Sequence, residues 1–332
     1  MVFFSFGEYW WAYLSFLLLV GVLLAVDLGV LHRKAREVSL KEAAIWTAVW
    51  VGLAALFNWA FYCYCLHKFS SIDGGEGRAR QLALEFLTGF LVEKSLAVDN
   101  IFVFTLIFNY FGIHRVHQHR VLFYGIIGAL IFRALFIAIG AQLMAYHFVV
   151  VTFGVLLVLT GLKMFFSGSE SFNPDRMWLM RRIKQLVPLD LKAEGEDFFV
   201  NRSGKWFATR LCLALILIEF TDFLFAVDSV PAIFALTSEP LIVFTSNIFA
   251  ILGLRSMYFM LSGVLSKFRY IKLGLASVLV FVGLKMAWLN SLFNGKFPVT
   301  WSLMIISCLI GASIALSWII KPKESPRQSD SN

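Results

Sequence analysis

The stretch LVEKSLAVDN, residues 91–100, decides how this chain folds, because it places charged side chains within a long apolar run. Phe, Leu, Val and Ile surround it over a length that is sufficient to cross a membrane. Its polar residues are Glu93, Lys94, Asp99 and Asn100. An ionisable side chain at bilayer depth is costly unless it is paired or hydrated, so by default it marks the path of an ion or another substrate.

A second stretch repeats this pattern. Residues 219–229 read EFTDFLFAVDS and again contain the tripeptide Ala-Val-Asp. When Asp99 is aligned with Asp228, Glu93 falls opposite Asp222, so both copies hold two acids separated by five residues. The sequence therefore contains the same candidate site twice.

Composition identifies the class of protein. Of 332 residues, 59% are apolar and only 15% are charged, whereas about a quarter are charged in an average soluble domain. The formal charge of +8 does not indicate nucleic-acid binding, because the Lys and Arg residues lie between apolar runs, where they orient spans. The four cysteines form no CxxC pair, so neither a disulfide framework nor a thiolate zinc site is expected.

The apolar runs predict an all-α, polytopic membrane protein with about nine transmembrane helices. The predicted spans are 9–31, 42–65, 84–111, 121–143, 147–166, 211–238, 241–265, 270–290 and 298–320. The odd-numbered loops and the C-terminal tail hold 20 Lys and Arg residues, if Lys272 at the start of the eighth span is counted with the seventh loop, against 4 in the even-numbered loops. The positive-inside rule therefore predicts a multi-pass protein of the cell (inner) membrane, with its N-terminus outside and its C-terminus in the cytoplasm.

The duplication extends beyond the acids. Arg133 recurs as Arg255, and the motif GLKM at 161–164 recurs at 283–286. Spans three to five therefore match spans six to eight, and two copies of a three-span unit must have opposite orientations in the membrane. This 3+3 inverted repeat is typical of secondary transporters, whose binding site lies at the repeat interface near the middle of the membrane.

These features divide the chain into six segments. In order, they are two N-terminal helices (1–83), repeat 1 (84–166), a cytoplasmic loop (167–210), repeat 2 (211–290), the ninth span (291–320) and a disordered tail (321–332). Within the loop, Asn173-Pro174-Asp175 predicts the start of a basic amphipathic helix that ends near Leu186. Residues 197–209 predict a small hairpin.

The spacing of the acids sets a geometric condition. Residues six apart on a helix point about 120° away from each other, so Glu93 and Asp99 share one face only if the helix is broken. Pro231 offers a cause in the second copy, because it leaves the carbonyl of Val227 without its helical donor. We therefore expect broken helices at the site, more securely in the second copy, since the first lacks a proline.

The polar residues of the two repeated stretches offer oxygen ligands, which favour a hard cation such as Mn²⁺, Mg²⁺ or Ca²⁺ over zinc or copper. The candidate metal ligands are Glu93, Asp99, Asn100, Glu219, Asp222, Asp228 and Ser229, and the candidate counter-ions are Lys94, Arg133 and Arg255. Glu85 is expected on the outer face, and Lys285 near a span end from which its stem reaches the interface. The loop residues His114, His117 and His119 have metal-like spacing, but exposed His-rich loops are more often merely solvated.

Three long motifs closely resemble the TerC/Alx family of integral membrane proteins. They are FAVDSVPAIFALTSEPLIVFTSNIFAILGLRSMYF (225–259), TGFLVEKSLAVDNIFVF (88–104) and FFV…AT (198–209). The resemblance implies a relation to the lysine-exporter superfamily, manganese efflux and a historical tellurium-resistance label. It also implies that Glu93, Asp99, Asp222 and Asp228 are the family's acidic motif residues. Two features depart from the family pattern: Arg210 follows Thr209 where relatives tend to have Pro, and the histidine loop is additional.

We therefore expect a secondary transporter that exports Mn²⁺ through a site shared by both repeats. A Ca²⁺ or proton-linked cation exchanger is the alternative within transport, and a membrane scaffold for stress or tellurite resistance is the alternative outside it. No enzyme activity, prosthetic group or nucleic-acid partner is expected. The expected partners are a divalent metal ion and the lipid bilayer, and assembly into a homo-oligomer stays open.

Overall fold

The structure is a computed structural model, and it describes most of the chain. The described residues are 3–29, 39–143, 146–166, 180, 182–183, 185, 187–190, 195, 197–262, 270–293 and 297–319. Most of the predicted loop helix and the whole tail at 321–332 lie outside them.

Helices form nearly all of the described structure. In chain order they are α1 (Phe6–Gly29), α2 (Leu40–Lys68), α3 (Gly75–Tyr110), α4 (Arg115–Leu143), α5 (His147–Phe166), α6 (Arg210–Phe234), α7 (Pro240–Leu252), α8 (Leu254–Leu261), α9 (Ile271–Leu284) and α10 (Val299–Ile319). After α9 the chain continues through a π-helical turn, Lys285–Leu289, to the short helix Asn290–Leu292.

The helix boundaries follow local sequence signals. Ser39 caps α2, since its hydroxyl accepts a hydrogen bond from the amide of Glu42 at 3.2 Å. Beyond the end of α3, Gly112 takes a left-handed conformation with φ of 60°, which lets the chain turn toward α4. These signals place the long helices close to the predicted spans.

A small hairpin lies between α5 and α6. Strand β1 (Phe199–Arg202) pairs antiparallel with β2 (Lys205–Ala208). Ser203 and Gly204 both have positive φ, 52° and 81°, which is the turn geometry that two-residue hairpins favour. The predicted hairpin at 197–209 is therefore present.

The described helices are those of an all-α polytopic membrane protein. Six are long and apolar enough to cross a membrane, or seven if the bent pair α7 and α8 is one span. Helices α3 and α6 have 36 and 25 residues but are not among them, because charged side chains interrupt their apolar runs. If the bent pair counts as one span and α3 and α6 are added, the total is the nine spans that the sequence predicts. That number stays a prediction.

The expected break within the acid-bearing helices is wrong. Helix α3 is continuous past both acids, and α6 continues through Pro231 to Phe234. Pro231 lies in the last turn of α6, where a lost backbone hydrogen bond does little to the helix axis. The bend instead separates α7 from α8, by 43° at Gly253, within the segment predicted as the single span 241–265.

The packing of the helices places equivalent segments together. Helix α5 packs along α9, while α4 packs on α6 and α7 packs on α3. A Cβ atom added to Gly154 would lie 2.9 Å from the carbonyl oxygen of Gly283, and one added to Gly161 would lie 2.8 Å from that of Ala276. Because Ala276 follows Gly154 by 122 residues, as Gly283 follows Gly161, the two contacts are equivalent. The crossing is compatible with an inverted repeat, which stays a prediction.

Candidate functional site

Arg133 of α4 is the centre of a buried polar cluster. The side chain is only 1% exposed, and its guanidinium forms an ion pair with Glu93 of α3. The same group donates to Ser229 Oγ of α6 and to Asn247 Oδ1 of α7, both at 2.9 Å. One guanidinium therefore joins four helices, two from each half of the chain.

Asp222 of α6 completes this cluster. One of its carboxylate oxygens lies 3.7 Å from the Arg133 guanidinium and accepts a hydrogen bond from Asn100 of α3 at 3.1 Å. The other oxygen, Oδ2, is fully enclosed and accepts no hydrogen bond from the described residues. A buried carboxylate oxygen without a donor is ready to take a proton or a cation.

Glu219 lies one helical turn before Asp222, so the two residues share a face of α6. Its carboxyl group lies against Gly128 of α4. Within the described part of the chain, Glu219 Oε2 is also enclosed without a hydrogen-bond donor. Two successive turns of one helix thus carry carboxylate oxygens with unused acceptor capacity.

The cluster contains equivalent residues from both halves. Asp222 follows Glu93 by 129 residues, and Ser229 follows Asn100 by the same 129. All four are buried, with exposed fractions of 1% to 3%. Pairing between different helices, and not a break within one helix, is what brings Glu93 and Asp222 together.

The remaining candidates have different positions. Lys94 donates to the carbonyl of Ala250 at 2.9 Å, near the end of α7, and has no hydrogen bond to a described acid. Arg255 is buried and, with Asp222, lines a void of about 10 Å³, which is near the lower limit for one water molecule. Asp99 and Asp228 belong to α3 and α6, but their side chains lie outside the described structure.

No group of three His, Cys, Asp or Glu side chains suited to a metal occurs among the side chains that the structure describes. His114, His117 and His119 are included in that statement, whereas Asp99 and Asp228 are not. In this conformation the Arg133 guanidinium contacts the carboxylates that the sequence assigns to a metal. Ligation by all four acids of the two repeats therefore stays a prediction.

Several buried polar residues were missing from the sequence-based prediction. Asn247 joins the cluster, and the polar run TSN at 245–247 within an apolar span was the available signal. Glu239 accepts hydrogen bonds from the amides of Phe3 and Phe4. Glu85, expected on the outer face, is only 4% exposed and accepts hydrogen bonds from Gln81 and Thr237.

Comparison with known proteins adds family information to this geometry. Residues 79–325 match the model of the integral membrane protein TerC family. An uncharacterised membrane protein of Myxococcus xanthus is 47% identical over 317 residues, which cover 95% of this chain and 93% of the relative. A protein of Escherichia coli (strain K12) that bears the name putative membrane-bound redox modulator Alx is 41% identical over 310 residues, or 92% of this chain and 94% of that protein. No solved structure matches.

Proposed function

Because the chain belongs to the TerC family of integral membrane proteins, we propose that it is a secondary transporter that exports Mn²⁺ from the cytoplasm. The observation that carries this proposal is the meeting of Glu93 and Asp222 around one buried guanidinium. Charged groups in a membrane protein's interior are expensive and mark substrate or ion pathways. The family membership supports a membrane protein, and the buried acids support transport of a cation.

The chemistry of the donors favours a hard divalent ion. The cluster offers carboxylate, amide and hydroxyl oxygens, from Glu93, Asp222, Asn100 and Ser229, and it contains neither thiolate nor imidazole among the described residues. Oxygen donors suit Mg²⁺, Ca²⁺ and Mn²⁺. Mg²⁺ gives up its water shell reluctantly, so a partly dehydrated and irregular set of oxygens favours Mn²⁺.

In this proposal Arg133 acts as a tethered counter-ion. Its positive charge neutralises the acids when no metal is bound, because buried carboxylates are stable only when paired. A divalent ion that binds Glu93 and Asp222 has to displace the guanidinium from them. The return of Arg133 then helps to release the ion, so the bundle alternates between a metal-bound and an arginine-bound state.

The name of the Escherichia coli relative raises redox modulation as another role for this chain. Thiol chemistry would need cysteine, and all four cysteines here are free: Cys63 and Cys308 are exposed, and Cys65 and Cys212 are buried. A variant with all four changed to Ser separates the two roles. Transport through the acid cluster predicts that this variant still lowers cytosolic manganese.

The decisive experiment measures cytosolic manganese in cells that express the chain and are challenged with Mn²⁺. Glu93→Gln, Asp222→Asn and Asp99→Asn should each remove most of the reduction in manganese while the protein still reaches the membrane. Glu76→Gln is the matched control, since Glu76 is an exposed acid in the first turn of α3. A scaffold in which the charges only hold helices together predicts no change in manganese for any of these variants.

A further inference from the structure

A second polar region lies at the end of the bundle near residues 3 and 4, away from Arg133. An open cavity of about 680 Å³ is lined there by the start of α3, the segment that follows α6, the turn after α9 and the start of α10. A neighbouring cavity shares Gln81, Glu85 and Ser238 with it and reaches Phe3. We propose that the larger cavity, named here the terminal cavity, binds a small oxyanion through a carboxylate or phosphate group. This inference does not depend on which cation the protein transports.

Lys285 is the first reason for an anion. It lies in the π-helical turn, lines the terminal cavity and is only 2% exposed, although the sequence predicted that its ammonium would reach the interface. Among the described residues, no hydrogen bond or ion pair joins Lys285 to another side chain or to the backbone. An ammonium group carries three donors, and because Lys285 lines the terminal cavity, a ligand in that cavity can accept from them. An anion in the cavity would satisfy them.

Glu85 does not supply this partner. It lines the same cavity, but its two carboxylate oxygens already accept hydrogen bonds, one from Gln81 at 2.8 Å and one from Thr237. The electrostatic attraction between Glu85 and Lys285 acts beyond ion-pair distance, since no direct contact within 4.0 Å joins them. Glu85 thus leaves the donors of Lys285 available.

The N-terminus of α10 is the second, independent reason. This helix has 21 residues, and its first backbone hydrogen bond runs from the amide of Ser302 to the carbonyl of Pro298. The preceding amides of Val299 and Thr300 have no acceptor within the helix, and both residues line the terminal cavity. Free amides and the positive end of the helix dipole together make such a terminus an anion site.

Other lining residues favour the same charge. Arg80 is an exposed cation in the wall of the cavity. Asn290 accepts a hydrogen bond from the amide of Phe297 at 3.0 Å through Oδ1, which leaves its amino group as a donor. Because cations and donors outnumber the single acid among the described lining residues, a metal cation is disfavoured here. The bound oxyanion comes either from solution or from the headgroup of an anionic lipid.

The test uses the full-length protein, purified in detergent, with inorganic phosphate as the probe. Thermal unfolding is followed while phosphate is added, with chloride of equal ionic strength as the reference. Lys285→Met keeps the apolar stem and removes the charge, and Lys163→Met is the matched control because Lys163 is the exposed repeat counterpart. We expect phosphate to stabilise the wild type and Lys163→Met, with affinity at least tenfold weaker for Lys285→Met.

A second arm identifies the source of the anion. The same proteins are placed in nanodiscs of phosphatidylcholine, with and without phosphatidylglycerol. Stabilisation by phosphatidylglycerol that Lys285→Met loses, without an effect of free phosphate, assigns the site to a lipid headgroup. If Lys285→Met does not fold, Arg80→Gln replaces it, with an expected loss of affinity of threefold or more. The proposal is overturned if the variant without the positive charge binds phosphate and phosphatidylglycerol as well as the wild type does.

Discussion

Arg133 interacts with Glu93 and Asp222 at once, and this arrangement makes the three charges mutually dependent. Removing one partner of a buried ion pair leaves an uncompensated charge, at a cost of about 3–5 kcal/mol. Replacing both partners by neutral groups costs far less, because no charge then stays buried. The stability of the bundle and the presence of acids at its centre are therefore linked through one side chain.

The first prediction tests this dependence with Arg133→Gln. We expect a marked fall in the amount of folded protein in membranes, because Glu93 loses its cation. The double variant Arg133→Gln with Glu93→Gln should recover part of that amount, because Asp222 is then the one carboxylate of the pair left without its cation, but it should not recover manganese export. Lys163→Gln, at an exposed cation, is the control. Normal accumulation and export by Arg133→Gln would show that the guanidinium is not needed.

Sequence reasoning found the acids of this cluster but not all of its members. Glu93 and Asp222 could be predicted from the sequence because a charge within an apolar run is conspicuous and because the pattern occurs twice. Asn247 carries no charge, so it resembles any polar residue in a span. The sequence places Glu85 and Lys285 near predicted span ends and so predicts interfacial positions, and only the tertiary arrangement shows that both line a cavity between helices.

Most helix boundaries could be predicted from the sequence, since apolar runs and their capping residues act locally. The bend at Gly253 could not be predicted, because it depends on residues that are distant in the chain. A Cβ atom at Gly253 would lie 2.6 Å from Lys94 Nζ of α3 and 3.1 Å from Cβ of Trp50 in α2. The same Lys94 donates to the carbonyl of Ala250 just before the bend. Contacts of this kind have no local signature.

The second prediction concerns the crossing of α5 and α9. A Cβ atom added to Gly283 would lie 2.6 Å from the carbonyl oxygen of Gly154 and 2.8 Å from the amide nitrogen of Val158, and backbone atoms cannot yield as a flexible side chain can. Gly283→Ala should therefore destabilise the protein by about 1–3 kcal/mol, as overpacking in a core does. The measurement is thermal unfolding of the purified protein in detergent.

The control for that experiment is Gly311→Ala in α10, where an added Cβ would meet nothing within 4 Å. Alanine has a higher helix propensity than glycine, so this variant should be neutral or slightly more stable. Equal melting temperatures for Gly283→Ala and Gly311→Ala would mean that the two helices do not cross at the described distance.

The arrangement of the chain as a whole depends on how many helices cross the membrane. Among the described residues, six or seven helices meet the criteria of length and apolarity, and α3 and α6, which carry acids of the cluster, are long helices that do not. The charges that make these helices candidates for transport also remove them from a count based on apolarity. Neighbouring helices bury those charges inside the bundle, so the charged side chains avoid the high free-energy cost of contact with lipid.

The third prediction is the topology that follows if α3 and α6 are spans. Nine spans, an odd number, place the termini on opposite sides, with the N-terminus outside and the C-terminus in the cytoplasm. Reporter domains that are active on only one side of the membrane, fused to each terminus in turn, measure this directly. Termini on the same side would contradict nine spans and favour an even number, such as the six long apolar helices.

The fourth prediction concerns ion selectivity and pH, which depend on the whole transport cycle. Protons and metal ions compete for the same carboxylates, because a carboxylate has to be deprotonated to bind a metal. In everted vesicles, where the cytoplasmic face is outside, Mn²⁺ uptake should therefore weaken as the external pH falls and recover as it rises.

Zinc and copper should be transported poorly, because the site offers hard oxygen donors, and excess Mg²⁺ should inhibit only weakly, because it dehydrates reluctantly. Vesicles that contain Asp222→Asn are the control, since loss of a carboxylate in the cluster should remove both the flux and its pH dependence. Complete inhibition of Mn²⁺ uptake by an equal concentration of Mg²⁺, or faster transport of zinc than of Mn²⁺, would contradict the proposed chemistry of the site.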